Sequence, residues 1–382
     1  MKAIRDFAKA GGAVLLGLSA LFGLSASAQA QDIVIGQVGP FTGLPVPDAI
    51  QINQGAKAYF AQVNKAGGVN GRKISFFELD DTYKADVFVA KFEEAMQRKP
   101  LALISPVGSA SAKRMLDDKL LDKYNVLVMN QVPGADAFRE PGHPHLFHVR
   151  TGDKEELIEI VKHAKTLGVL KLGVLYQNIP MGASGMKTVA DEVAHLKDMQ
   201  VQGVQGSMDP AQMEKAAAEV AKIGAQGYIV IGAPPFSAGG VAALRKLGVS
   251  QFIFLLTDTS PGLVKKMAGV EAGRGVVIAQ VYPNPNGRVR LIVREFQAAM
   301  KAAFPDIETY APFQFEGYVS SRILVEAMRR VKGEISPESV AKALRAMGEL
   351  DVGGYRVDFS KGNVGGQYVD IAVMDQDGKL RY

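Results

Sequence analysis

The chain has 382 residues, with 44 Lys and Arg against 39 Asp and Glu, five His, and neither Cys nor Trp. Its length predicts two domains, or three, at ~100–200 residues each, and 47% hydrophobic with 22% charged residues exclude a disordered or fibrous chain. The missing Cys excludes a disulfide framework, a zinc ribbon, a thiol nucleophile and a Cys-ligated cluster, while the formal charge of +5 is a weak pull toward anionic partners.

The N-terminus accounts for part of that charge. Lys2, Arg5 and Lys9 precede an uncharged run over 13–24, and small residues lead to Ala28-Gln29-Ala30. A basic start, a short apolar run and an A-x-A site predict a cleavable secretory signal over 1–30, too short to be a comfortable membrane span. Cleavage after Ala30 leaves 41 basic and 38 acidic residues, a net charge of about +3. No acylatable Cys follows, and no later stretch approaches 18 uncharged apolar residues. The expectation is a free, soluble periplasmic protein.

Along the remaining chain, short apolar or β-branched runs predict strands at 33–38, 74–79, 101–104 and 126–129. A second series follows at 172–176, 201–204, 228–231, 252–256 and 276–280. The strand starts mostly recur at βαβ spacing. Between them, Ile52, Ala56, Tyr59, Phe60 and Val63 share one helical face, as do Leu157, Ile158, Val161 and Ala164. Near-continuous apolar strands alternating with helices predict an α/β protein whose parallel sheets are covered on both faces. The irregular segment 131–148 separates the series, which predicts two doubly wound lobes. Long helices are expected over 289–304 and 313–331, and Pro337 opens another to Met347. The Gly-rich tail 353–380 returns to strand-like alternation.

Catalytic and cofactor motifs find little support. Gly36 to Gly43 is not G-x-G-x-x-G, and Pro40 with the proline-rich stretch 44–48 delays the helix, so no dinucleotide site is expected. There is no phosphate-binding P-loop, and Gly182-Ala183-Ser184-Gly185 lacks nucleophile-elbow spacing. His143, His145 and His148 are interrupted by Pro141 and Pro144 and read as a turn into a strand over 147–150 rather than a metal site. Asp80 and Asp81 end a strand; adjacent strand residues point to opposite faces, which favours a turn and helix cap over an acid–base pair. Basic residues are dispersed, so no nucleic-acid partner is expected.

Ligands of open α/β sheets bind beyond the C-terminal ends of strands. After the third strand, the loop 105–112 sets Ser109, Ala110 and Ser111 at the opening of a helix expected over 113–123. Hydroxyls beside free N–H groups there suit a carboxylate; capping of the helix by Ser109 or Ser111 explains the loop equally well. The loop after the fourth strand, Asn130 to Gly134, could face the same cleft.

Several segments together carry a resemblance. Ile33-Val34-Ile35-Gly36 with Gly39-Pro40 and Gly43 opens the exported chain, and Asn64-Lys65-Ala66-Gly67-Gly68-Val69-Asn70-Gly71-Arg72 follows the first helix. With Asp80-Asp81 and the loop at 105–112, the chain resembles the periplasmic leucine/isoleucine/valine-binding protein family, the substrate receptors of ABC importers. That resemblance implies two Rossmann-like lobes joined by a hinge of three crossings, with lobe one at 31–151 plus 282–350 and lobe two at 152–281 plus 351–382. It implies a small-molecule ligand (an amino acid or related carboxylate), partner permease and ATPase subunits, a monomer, no cofactor, and no enzymatic activity. Ser109 and its neighbours Ala110 and Ser111 would hold the ligand carboxylate, with Val132, Pro133 and Gly134 beside them. Met181 stands where the family usually places an aromatic residue, and Asp258 matches the partner of the ligand ammonium. Phe313 would line the side-chain pocket, and Pro234 and Phe236 would approach the cleft. A ligand-sensing receptor of the same fold, for an amide or an aromatic acid and without a transport role, remains the alternative. An exported hydrolase or oxidoreductase has no nucleophile or cofactor loop behind it.

Overall fold

The structure is a computed structural model that describes residues 31–43 and 47–382; the expected export signal at 1–30 lies outside the described residues. The first sheet contains β1 (Ile33–Gly39), β2 (Ile74–Asp80), β3 (Ala102–Ile104), β4 (Leu127–Met129) and β5 (Leu146–Phe147). Its strand order is β2-β1-β3-β4-β5 and every pairing is parallel. Period-2 alternation sorts the side chains into two cores. Ala102, Ile104, Leu127 and Met129 face one core, while Leu103, Val126 and Val128 face the other. The first core is covered by α1 (Asp48–Lys65), and the second by α2 (Ala85–Met96), α3 (Ser109–Asp117) and α4 (Leu120–Tyr124). The helix expected over 113–123 is therefore two helices. It starts at Ser109 and breaks at Asp118–Lys119, where Lys119 adopts φ +50°.

From β5 the chain passes through residues 148–152 to α5 (Asp153–Thr166) and the second sheet. There β6 (Lys171–Gln177), β7 (Gln200–Gly206), β8 (Gly227–Ile231), β9 (Phe252–Leu255) and β10 (Val276–Gln280) run parallel in the order β10-β9-β8-β6-β7. This is the first sheet's topology repeated, with the order reversing beside β6 as it reverses beside β1. The intervening helices are α6 (Pro180–Leu196), α7 (Pro210–Ala221), α8 (Pro234–Lys246), α9 (Pro261–Ala268) and the short α10 (Val270–Gly273). Again the strands split by alternation: Tyr228, Val230, Ile253 and Leu255 enter one core, and Ile229, Ile231 and Phe254 the other.

The chain then returns to the first sheet with α11 (Leu291–Ala303), α12 (Pro312–Arg330) and α13 (Pro337–Ala346), whose apolar faces join the core over β1. The hairpin β11 (Glu349–Asp351) and β12 (Arg356–Asp358) follows, and Val352, Tyr355, Val357 and Phe359 pack into that same core. The return to the second sheet thus falls after Phe359, later than residue 351 as expected from the sequence. There β13 (Asp370–Met374) pairs antiparallel with β10, and β14 (Leu380–Arg381) with β13. The chain crosses between the sheets three times in all.

Close approach of α1 and α12 fixes the layer that carries much of the cleft. A Cβ on Gly55 would lie 1.8 Å from the Gln314 carbonyl oxygen, and one on Gly317 2.0 Å from that of Ile52. The two helices touch backbone to backbone, which only glycine allows.

Candidate functional site

Strand C-termini and helix N-termini of both lobes converge on one cleft of about 560 Å3, including space open to solvent. It is lined by Asp48, Tyr83, Val107, Gly108, Ser109, Val132, Pro133, Pro234, Pro235, Asp258, Leu263 and Phe313. Of that, the space a water-sized molecule can enter is only about 50 Å3, well below the ~300–1,000 Å3 of small-molecule sites.

Of the residues anticipated from sequence, Ser109, Val132, Pro133, Pro234, Asp258 and Phe313 meet in this cleft. The others do not line it. Ala110 is exposed on the first turn of α3, and Ser111 is buried behind it. Gly134 packs against α5, where a Cβ would lie 1.9 Å from Asp153 Oδ1. Met181 packs on the second lobe's core. Phe236 is fully buried among β-sheet and helix side chains, because Pro234 starts α8 and turns its third residue inward against Gly232. Neither Ser109 nor Ser111 caps α3; Gly108 holds that position with φ +106° and no side-chain cap. The first-turn N–H groups of α3 have no acceptor within the helix, and they open at the cleft wall formed by Gly108 and Ser109.

The cleft also contains residues the sequence reading did not select. Asp48 begins α1 and is only 8% exposed. Its placement starts at Gln37 on β1, whose Nε2 donates to the Ala49 carbonyl at 3.2 Å and whose Oε1 accepts from Asn53 at 3.1 Å. Tyr83 follows β2 on a tightly wound turn with Thr82 and Tyr83 both at positive φ. Asp80 Oδ1 accepts from the N–H groups of Thr42 and Thr82, and Asp81 Oδ1 from that of Tyr83. The acidic pair therefore builds a turn, as expected, but caps no helix, since Lys84 precedes α2. Both omissions had an available signal: these loops also follow strand C-termini, the criterion applied to β3 and β4 alone.

Electrostatics give the cleft its character. Burial, reinforced by the charge of Glu316, pushes the Asp48 carboxyl up to about 7. Burial also pushes Asp258 up to about 7, with Asp153 and Asp48 adding to it and Arg150 and the Thr259 hydroxyl opposing. The Thr259 hydroxyl donates to Asp258 Oδ1 at 3.1 Å. The Tyr83 phenol is raised by burial and then by Asp258 and Asp48, so both carboxylates act on it. No Lys, Arg or His is among the lining residues.

Behind the cleft lies a buried ionic layer. Arg150, on the first crossing, sits 3.6 Å from Glu316 of α12 and 3.8 Å from Glu156 of α5. Asn130 donates to Glu316 at 2.7 Å and accepts from the N–H groups of Val149 and Arg150. Arg139 donates to the carbonyls of Gly134, Arg150 and Thr151, and Glu156 accepts from the Thr257 N–H beside Asp258. The first crossing is thereby tied to elements of both lobes. Of the three sequence-proximal histidines, His143 lies 3.0 Å from Asp122 and His148 is buried just past β5. Among the described residues no group of three His, Cys, Asp or Glu side chains is disposed to hold a metal.

Two lobes of repeated doubly wound topology with a largely apolar cleft carrying two carboxylates between strand ends define a two-lobed binding protein. The chain belongs to the Periplasmic binding protein family, whose model matches residues 32–379. It is 50% identical to an extracellular ligand-binding receptor from Verminephrobacter eiseniae, with 92% of this chain and 100% of that one covered and a TM-score of 0.86. A substrate-binding periplasmic protein from Ralstonia solanacearum is 27% identical, covering 91% of this chain and 99% of that one, at a TM-score of 0.80. An amino acid binding protein of Pseudomonas aeruginosa is 36% identical over 101 residues, a segment that spans 26% of this chain and 27% of that relative.

Proposed function

We propose that the protein is the periplasmic solute receptor of an ABC importer and captures a small α-amino acid, or a closely related amine-bearing carboxylate, between its lobes. One observation carries this reading: an uncapped helix N-terminus from the first lobe and a carboxylate from the second line the same cleft. The N–H groups of α3 with the Ser109 hydroxyl suit a carboxylate. Asp258, half-buried and without a cationic side chain among its lining neighbours, suits an ammonium, which would offset the cost of its desolvation. Val107, Val132, Leu263 and Phe313 supply apolar walls for the remainder of the ligand. The curated relative's name, amino acid binding protein, agrees with this ligand class. Binding would close the lobes through the three crossings, presenting a closed form to permease subunits driven by ATPase partners.

The test is isothermal titration of protein unfolded, washed free of carried ligand and refolded, against α-amino acids and against benzoate. The reading expects saturable binding of at least one α-amino acid with 1:1 stoichiometry. Binding of benzoate-type acids with no amino acid bound would overturn it.

A further inference from the structure

The family reading uses one carboxylate in the cleft, and this cleft has two. Asp48 lines it from the first lobe, is 8% exposed, and its carboxylate has no hydrogen bond or ion pair to any described residue. The buried guanidinium of Arg150 behind the cleft lies between Glu156 and Glu316, which balance its charge. Asn130 further satisfies Glu316. Asp48 has neither kind of support, and no basic side chain lines the cleft with it. Against an aliphatic ligand side chain, that carboxylate would be covered without a partner, at a cost that cleft closure increases.

We infer that the ligand brings the missing partner: the receptor's specificity is for an α-amino acid with a second, side-chain cation, and Asp48 is the residue that selects it. The assignment rests on the α-amino acid reading above and adds the chemistry of the side chain. The charges then match group by group. The α-carboxylate meets the N–H groups of α3 and Ser109, the α-ammonium meets Asp258, and the distal ammonium meets Asp48. Between the charged ends, the methylenes of a short diamino acid lie along Val107, Val132 and Phe313, which with Ala49 and Ile52 form one apolar cluster beside Asp48. Tyr83, on which both carboxylates act, lines the same cleft. A site built to pair a ligand charge rejects the analogue that lacks it more strongly than an apolar pocket rejects one methylene, because its own charge is then stranded.

Ornithine and norvaline isolate the point, since they differ only in the terminal ammonium. Titrated at about pH 8 into the washed and refolded protein, ornithine is expected to bind at least tenfold tighter than norvaline. In Asp48→Asn that ratio should collapse toward one, while Asp48→Glu retains a preference for ornithine. Norvaline binding as tightly as ornithine to the unmodified protein would overturn the inference and leave the α-amino acid reading standing. An ornithine preference that persists in Asp48→Asn would overturn the role of Asp48. Failure of ornithine, norvaline and the common α-amino acids to bind at all would overturn both readings. The comparison on unmodified protein decides the ligand class even if Asp48→Asn does not fold.

Discussion

At the residue scale, the cleft carboxylates make stability and binding depend on pH in a defined direction. Asp48 and Asp258 ionise near 7 in the folded chain against an ordinary 3.8. A raised carboxyl favours the folded state fully below its unfolded value, and that advantage is lost as pH rises through the folded one. Asp81 and Asp153, raised to about 6, and Glu156, raised to about 8, act in the same sense. Buried His148, held well below its ordinary 6.5, acts in the opposite sense. Asp136 and Glu316 are raised as well, and His145 is lowered like His148; seven carboxyls oppose two imidazoles, so ligand-free protein should melt at a higher temperature at about pH 5.5 than at pH 8. Scanning calorimetry across that interval checks this, and Asp48→Asn should flatten the slope. A melting temperature that rises steadily from pH 5.5 to 8 would contradict the assignment. Asp258 was legible in the sequence because a family pattern marks its loop. Asp48 was not, because an acidic residue after a proline-rich stretch reads as a loop end until Gln37 and Asn53 are seen to seat α1.

At the element scale, strand positions were nearly all legible, since a run of apolar and β-branched residues bounded by turns has few other uses in a parallel sheet. Expected and observed limits of β10 coincide, and most others differ by one or two residues. What periodicity could not show was the break between α3 and α4, where a left-handed Lys119 interrupts an otherwise helical pattern. Nor could it show why α8 turns Phe236 inward, which depends on Pro234 as the first helical residue and on the space at Gly232. The α1–α12 contact is likewise invisible without coordinates, because Gly55 and Gly317 are 262 positions apart. Its consequence is testable. In Gly55→Ala the new Cβ meets the Gln314 carbonyl, a backbone atom that cannot swing aside, and overpacking of this kind costs about 1–3 kcal/mol. Urea denaturation should show a lower midpoint with little change in slope. Because α1 carries Asp48 and α12 carries Phe313, the same substitution should also weaken ligand binding. Unchanged stability would contradict the close contact.

At the scale of the whole molecule, the two doubly wound sheets repeat one topology, and the chain passes between them three times. The two lobes were legible from the doubled strand series. The site of the last crossing was not, because the Gly-rich tail gives no sign that Val352, Tyr355, Val357 and Phe359 are spent on the first lobe's core. Tyr355 also donates to the Val149 carbonyl, which joins the hairpin to the first crossing. On the proposed reading, a ligand carboxylate at the α3 wall of one lobe and its ammonium at Asp258 of the other would be held together only when the lobes approach. On that proposal, ligand binding, Asp258 and lobe closure are one event. Small-angle X-ray scattering measures it directly, on the unmodified protein and on Asp258→Asn, with and without a saturating α-amino acid. The account predicts a smaller radius of gyration for the unmodified protein on saturation and no contraction for Asp258→Asn at the same ligand concentration. An unchanged profile for the unmodified protein at full occupancy, or equal contraction in Asp258→Asn, would contradict it.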